Sequence, residues 1–269
     1  MITRLIFIGP GRINEAAVTL SFDYNLNPLP DITYIVSPYP QHVIDKTFAE
    51  FNLDSSKYTL LDDLYFEDYY DLTRWKKDHW YYQQALKLCS LDHFDSEYFL
   101  IQDCDQVPLK QFNFFVDGKL NFKVENLWNP YQELYAEMVE KLTGLKRTLN
   151  YSLVNELMPY SKQDWLALKQ LIKEYNGCEW LDAVPNARPF DEIKWFSEFE
   201  LLGIYKTNQS DWTSYNAVPQ PAINTWQDFF QHDWSKQDTI KFLTQPLKYM
   251  NIDSAKAVLE HVNKQLTLR

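Results

Sequence analysis

Short apolar runs that end at turn residues alternate with a helical pattern in the first third of the chain. Arg4–Ile8 leads into a Gly-Pro-Gly turn, Ile32–Val36 leads into Ser-Pro, and Tyr98–Ile101 is a third such run. Runs of this length that are bounded by turn residues are typical of buried strands. Between the second and third runs, Asp71–Cys89 repeats apolar and aromatic positions at steps of three and four, which predicts a helix. The alternation predicts an α/β fold with a mostly parallel central sheet flanked by helices.

The pattern becomes helical after about residue 125. One apolar face ends at Gly144, and Ser161–Asp164 has the sequence of a helix N-cap whose helix would stop at Gly177. Two further helices are predicted, over Asp191–Leu202 and Asp253–Leu266. The segment 207–250, rich in Asn, Gln, Trp and Pro, is predicted to be irregular and to lie over the functional site. We therefore predict a single domain over residues 1–269, with a strand-rich half (1–125) and a helix-rich half (126–269).

Composition and charge narrow the class of protein. Hydrophobic residues make up 45% of the 269 positions, enough for a sizeable core, and aromatic residues make up 16%, which suits stacking on a sugar or a base. The net charge of −11 repels a phosphate-rich polymer on average, so a nucleic-acid partner is not favoured. No apolar run is long enough to cross a bilayer, and three cysteines without a CxxC pair suggest reduced thiols. These features predict a cytoplasmic protein.

Two carboxylates follow the third apolar run directly, at Asp103 and Asp105. Like charges so close to a buried strand are costly unless something positive lies beside them. In a mostly parallel sheet, the carboxyl ends of the strands are where ligands bind. Paired carboxylate oxygens there could bind a hard divalent cation together with substrate phosphates. The alternative is a loop with two solvated acids.

One helix face carries polar groups that could bind a ligand. Trp80, Gln83, Gln84 and Lys87 fall at i, i+3, i+4 and i+7, so they share a face of the predicted helix. Two amides and an ammonium offer hydrogen-bond donors to a phosphate, a ribose or a base. A normal solvated helix face is the alternative, although a tryptophan is unusual on one.

A later segment supplies two candidate catalytic acids. Glu198 and Glu200 lie in Trp195–Tyr205, and on a helix they point apart, so one at most would face a site. A carboxylate near a reacting hydroxyl can act as a general base. From spacing alone, an acidic helix edge is the simpler interpretation.

In their order and spacing, three segments resemble a bacterial and viral family of GT-A-type glycosyltransferases that use nucleotide sugars. The segments are Trp80–Leu88, the strand into Asp103-Cys104-Asp105, and Ser197–Gly203. They are similar to the family's tryptophan- and QQ-containing helix, its DxD motif and its "SEYELYG" segment, and the resemblance covers roughly residues 4–205. This chain departs from the family at Phe199 and Leu202, where tyrosine is usual, so its acceptor could differ.

The resemblance implies a GT-A-like fold and a sugar transfer from a UDP-sugar to a hydroxyl acceptor, with Mn²⁺ or Mg²⁺ bridging the diphosphate. Residues 1–125 would bind the nucleotide sugar, and residues 126–269 would form the acceptor side, the acceptor being a saccharide. The implied site residues are Arg12, Trp80, Gln83, Gln84, Lys87 and Asp103 for the donor, Asp103, Asp105 and His232 for the metal, and Glu198 and Glu200 for catalysis.

Three alternatives remain open at the level of sequence. A hydroxymethylated base in phage DNA could be the acceptor if Lys141, Lys146 and Arg147 formed a basic face. A nucleotidyltransferase also needs paired carboxylates, but the chain has no glycine-rich phosphate loop. A non-catalytic sugar-binding module of the same fold is the third, and the presence of both Asp103 and Asp105 argues against it.

Overall fold

A five-stranded, mostly parallel sheet forms the centre of the protein. The computed structural model describes residues 1–76, 78–124, 130–151, 153–154, 157–187, 196–216, 223, 225–241 and 250–267. The strands are β1 (Ile2–Phe7), β2 (Leu26–Asn27), β3 (Ile32–Ser37), β4 (Thr59–Asp62), β5 (Tyr98–Asp103), β6 (Gln106–Pro108), β7 (Phe112–Asn113), β8 (Phe115–Val116), β9 (Lys119–Val124), β10 (Leu157–Ser161), β11 (Trp212–Asn216) and β12 (Thr239–Lys241). The helices are α1 (Ile13–Leu20), α2 (Gln41–Glu50), α3 (His79–His93), α4 (Pro130–Thr143), α5 (Lys162–Asn176), α6 (Trp180–Ala187), α7 (Glu198–Thr207), α8 (Trp226–Gln231) and α9 (Ile252–Thr267).

The central sheet has the strand order β10-β5-β1-β3-β4. β1 is parallel to both β3 and β5, β4 is parallel to β3, and only β10 runs antiparallel, against β5. Smaller sheets pair β11 with β9 and β8, β12 with β6, and β2 with β7. The prediction of an α/β fold with a mostly parallel sheet flanked by helices is confirmed. The division into two functional halves stays a prediction.

Alternate residues of β1 face two different cores. Leu5 and Phe7 pack into a cluster that includes α3, α5 and α7 on one face of the sheet. Ile6, and Ile8 just after the strand, pack into a second cluster with α1, α2 and α9 on the other face. Because helices cover both faces, consecutive positions from Leu5 to Ile8 are apolar, which is why they appear in the sequence as an unbroken run.

Two predicted helix stops and one predicted cap are confirmed. Gly144 follows α4 with a φ of 73°, and Gly177 follows α5 with a φ of 70°, a region that favours glycine. At the start of α5, the Ser161 hydroxyl accepts a hydrogen bond of 3.0 Å from the backbone N–H of Asp164.

Other helix boundaries differ from the prediction. α3 begins at His79 rather than Asp71, because the Asp78 side chain accepts from the backbone N–H of Trp80 at 2.7 Å and caps the helix there. The predicted helix over Asp191–Leu202 falls partly on residues outside those the structure describes. Within the described residues, α7 begins at Glu198. The segment 207–250 is not irregular throughout, as its described residues include β11, α8 and β12. The capping box of α8, Thr225 with Asp228, is the signal that the sequence interpretation missed.

Candidate functional site

The candidate site lies where the order of the parallel strands reverses. β1 has β3 on one side and β5 on the other, and Phe7 at the end of β1 pairs with Asp103 at the end of β5. In open sheets of this kind, ligands bind outside the carboxyl ends of the strands at such a point. The two predicted acids and the loop that leads into α1 therefore lie at the edge where a ligand is expected.

Three charged groups form a buried network at this edge, which we call the Asp103–Lys87–Glu198 triad. The ammonium Nζ of Lys87 lies 2.7 Å from Oδ1 of Asp103 and 2.6 Å from Oε1 of Glu198. The exposed fraction of the side chain is 1% for Lys87, 0% for Glu198 and 21% for Asp103. One strand and two helices thus contribute one residue each, and Asp103 is the member that reaches towards solvent.

The pKa values within the triad follow from burial and mutual attraction. Burial acts to lower the pKa of Lys87, but the charges of Asp103 and Glu198 outweigh it, so the pKa is raised and the ammonium keeps its proton. Burial raises the pKa of Glu198 above its usual range, against the pull of Lys87. The Phe199 ring lies over the ammonium, with its centre 4.3 Å from Nζ.

Most of the polar helix face contacts the start of α7. The indole N–H of Trp80 donates to the backbone carbonyl of Phe196 at 2.9 Å, and the backbone N–H of Glu198 donates to Oε1 of Gln84 at 3.2 Å. With Lys87 bound to Glu198, three of the four residues on this helix face connect α3 to α7 or to the residue pair just before it. Gln83 is the exception and lines a cleft. Whether these residues contact a donor stays a prediction.

Asp105 has a protein cation beside it as well. Oδ2 of Asp105 lies 3.0 Å from Nη2 of Arg12, which occupies the position just before α1. Nε of Arg12 also lies 3.6 Å from a carboxylate oxygen of the fully buried Glu15. Burial acts to lower the pKa of Arg12, but Asp105 and its acidic neighbours raise it above the usual value. The positive charge expected beside the two acids is therefore supplied, in this structure, by Lys87 and Arg12.

The second candidate acid, Glu200, belongs to a separate buried pair. Nε of Arg147 donates to Oε1 of Glu200 at 2.7 Å, and Nη2 of the same arginine donates to the backbone carbonyl of Gln132 at 2.6 Å. Burial raises the pKa of Glu200 to about 6, although Arg147 opposes the shift. Arg147 is therefore engaged inside the protein rather than displayed beside Lys146 on a basic face.

Tyr160 of β10 lies near these charged groups and was not predicted. Its hydroxyl is buried without a hydrogen-bond partner among the described residues. Burial raises its pKa, and the charges of Glu198, Asp103 and Glu200 raise it further, so all three carboxylates lie near it. Tyr160 follows the apolar residues of a short strand, and nothing in that pattern distinguishes it from a core residue.

A cleft opens at the ends of β1 and β3, and none of the triad residues lines it. Its lining includes Gly9 and Pro10 from the loop after β1, Asp63 after β4, and His79 and Gln83 from α3. Asp63 and His79 were missed by the sequence interpretation. Asp63 had a usable signal, because it directly follows the end of β4, much as Asp103 ends β5. Burial raises the pKa of the Asp63 carboxyl.

His232 lies at the end of α8, next to α9. Its ring packs edge-on against Trp234 at 4.7 Å between ring centres, and its backbone carbonyl accepts from Nε2 of Gln265 at 2.9 Å. Burial lowers the pKa of its imidazole. Within the part of the chain that the structure describes, no three His, Cys, Asp or Glu side chains are grouped to hold a metal ion. His232 as a metal ligand stays a prediction.

Comparison with known proteins identifies the family. The model of a family of unknown function, DUF6492, matches residues 33–253, so the chain belongs to that family. No curated protein matches the chain. Across the described ranges, no helix has the length and apolar character needed to cross a membrane.

Several solved structures are similar to the chain at low identity. An active-site mutant of LgtC has 9% identity and a TM-score of 0.49, with 96% of this chain and 95% of that one covered. The galactosyltransferase LgtC in complex with donor and acceptor sugar analogues has 9% identity, the same coverage and a TM-score of 0.47. Glucosyl-3-phosphoglycerate synthase from Mycobacterium tuberculosis has 9% identity and a TM-score of 0.42, with 100% of this chain and 79% of that one covered. At this level of similarity, none of them assigns a substrate or a residue role to this chain.

Proposed function

We propose that this member of the DUF6492 family is a metal-dependent glycosyltransferase that moves a sugar from a UDP-sugar to a hydroxyl group of a saccharide. The observation that carries the proposal is the position of Asp103 and Asp105, together with a cleft, at the switch point of a mostly parallel sheet. The motif resemblance to GT-A-type enzymes independently involves the same two residues.

In this proposal the nucleoside lies over the mouth of the cleft, between the loop after β1 and the first turn of α3, because the cleft itself encloses only about 30 Å³. Gln83, His79 and Asp63 offer polar groups to a base or a ribose there. The diphosphate would lie towards Arg12, a cation just before α1, whose N-terminal N–H groups also favour phosphate. The predicted roles of Glu198 and Glu200 in catalysis stay predictions. Both side chains are buried.

The donor set fits a divalent cation that arrives together with the nucleotide, because both side chains are carboxylates at the same sheet edge. Oδ1 of Asp103 contacts Lys87, and Oδ2 of Asp105 contacts Arg12. Mg²⁺ and similar ions are often held by one or two carboxylates, with substrate phosphates and water completing the shell. Asp103 and Asp105 would hold such an ion, which when bound would neutralise the charge that develops on the departing diphosphate.

The acceptor class follows from charge, and the location from the cysteines. A saccharide hydroxyl is preferred over DNA because the chain has a net charge of −11 and Arg147 is bound to Glu200.

Cys89, Cys104 and Cys178 are all free thiols, which supports a cytoplasmic location.

A thermal-shift experiment with UDP and Mn²⁺ tests the proposed function. We expect the two together to raise the melting temperature by about 5–10 °C at roughly 100-fold excess over Kd, because a ligand at that level stabilises the folded state by about 2.7 kcal/mol. UDP with EDTA and Mn²⁺ alone are the controls, and each should give a much smaller shift. An unchanged melting temperature with both ligands would contradict the proposal. Slow hydrolysis of a UDP-sugar by the same sample would separate an enzyme from a binding module.

A further inference from the structure

Glu198 lies in a position where a general base cannot contact a substrate. Its side chain has no exposed surface, and Lys87, which covers one of its oxygens, is itself 1% exposed. A general base must come within hydrogen-bond reach of the proton that it removes. The one member of the triad with access to solvent is Asp103. Glu198 therefore faces the site only through Lys87 and Asp103.

The ammonium of Lys87 is held in place by α7. Glu198 binds Nζ directly, and the Phe199 ring covers it. The start of α7 is in turn attached to α3 by the hydrogen bonds from Trp80 and to Gln84. Nζ therefore has a fixed position relative to α7, set by contacts that do not involve Asp103.

We propose that Glu198 is a positioning residue, which holds Lys87 so that its ammonium fixes the Asp103 carboxylate at the rim of the site. This inference rests on the proposed function insofar as Asp103 serves the donor and its cation. In functional sites, a charged partner behind a ligand orients it and keeps it ionised, and its loss typically reduces affinity by about 10–100-fold. Asp103, at the end of a strand and partly exposed, is a side chain that needs such a constraint.

The test compares Glu198→Gln with Asp92→Asn. Both changes replace a largely buried carboxylate that binds a lysine with the isosteric amide, but Asp92 is bound by Lys169 and not by Lys87. We expect Glu198→Gln to weaken Mn²⁺-dependent UDP binding by about 10–100-fold, measured by calorimetry well below the melting temperature. Asp92→Asn should change that affinity by no more than a few-fold.

Two further readouts separate positioning from the alternatives. For UDP-sugar hydrolysis, positioning predicts a raised KM for the donor, whereas a base role predicts a fall in kcat with the donor affinity unchanged. In a crystal structure of Glu198→Gln, Nζ of Lys87 and the Asp103 carboxylate should both shift from their wild-type positions. An unmoved Asp103 with wild-type UDP affinity, or a loss confined to kcat, would overturn the inference.

The experiment also distinguishes failure of this inference from failure of the proposed function. If the wild-type protein does not bind UDP with Mn²⁺, the proposed function is lost, while the position of Asp103 in the Glu198→Gln crystal still decides the positioning role. Should that variant not fold, Glu198→Asp keeps the charge but shortens the side chain by one methylene. It should draw Nζ away from Asp103 and weaken UDP binding in the same direction.

Discussion

Replacing Lys87 with methionine is expected to lower the free energy of unfolding by about 3–5 kcal/mol, which corresponds to a fall in melting temperature on the order of 10 °C. The change removes the ammonium shared by Asp103 and Glu198 and leaves a fully buried carboxylate without its cation. Breaking one partner of a buried ion pair costs far more than the pair contributes relative to an apolar replacement. Chemical denaturation of the variant and the wild type measures the difference.

The loss should depend on pH in a defined direction. Without Lys87, the pKa of Glu198 would lie still further above its usual value of 4.5, so the folded protein would hold that proton more tightly than the unfolded chain does. The variant should therefore be closest to wild-type stability near pH 5 and lose stability as the pH rises towards 8.

Two comparison variants make this result specific. Lys173→Met breaks an ion pair with Glu179 in which both side chains are about half exposed (53% and 54%), and it should leave the free energy of unfolding nearly unchanged. The double variant Lys87→Met/Glu198→Gln removes the stranded carboxylate and should recover part of the loss. Equal losses of unfolding free energy in Lys87→Met and Lys173→Met would contradict the burial of the triad.

Replacing Asp105 with asparagine is expected to weaken Mn²⁺-dependent UDP binding by about 100-fold or more. Loss of a residue that only supports a metal ligand costs about 10–100-fold, so loss of a proposed ligand should cost at least as much. Asparagine has nearly the same shape, so the fold should persist, with Arg12 still near Glu15. Calorimetric titration of UDP with and without Mn²⁺ measures the effect.

The matched control for this prediction is Glu179→Gln, a carboxylate-to-amide change in an exposed ion pair. It should leave UDP binding unchanged. Wild-type affinity in Asp105→Asn, with the same dependence on Mn²⁺, would remove Asp105 from the metal role.

Much of the central sheet could be predicted from sequence, because its strands are covered on both faces and appear as unbroken apolar runs. β1, β3 and β5 were found in this way. The helix ends at Gly144 and Gly177 were predicted because glycine readily adopts the positive φ found there. The start of α3 was placed too early because Leu72 and Trp75 continue the helical spacing although they lie in turns. The helix instead begins after Asp78, whose side chain caps it, and the spacing of apolar residues alone could not show that start.

The candidate site was predictable by its residues but not by its contacts. Asp103 and Asp105 were located by the strand that precedes them, and Lys87 by its position on a helix face. That Lys87 joins Asp103 to Glu198 depends on how α7 packs against α3, a long-range contact with no local signal. For the same reason, Trp80 and Gln84 were interpreted as open to a ligand, whereas they contact the start of α7.

The most direct test is a crystal of the wild-type protein soaked with UDP and MnCl₂, with anomalous scattering used to locate manganese. We expect an anomalous peak beside Asp103 and Asp105, the diphosphate on the same ion, and the base at the mouth of the cleft near Gln83. Nucleotide bound elsewhere would contradict the proposed site. So would both carboxylates remaining paired with Lys87 and Arg12 alone while the nucleotide is present at saturating concentration.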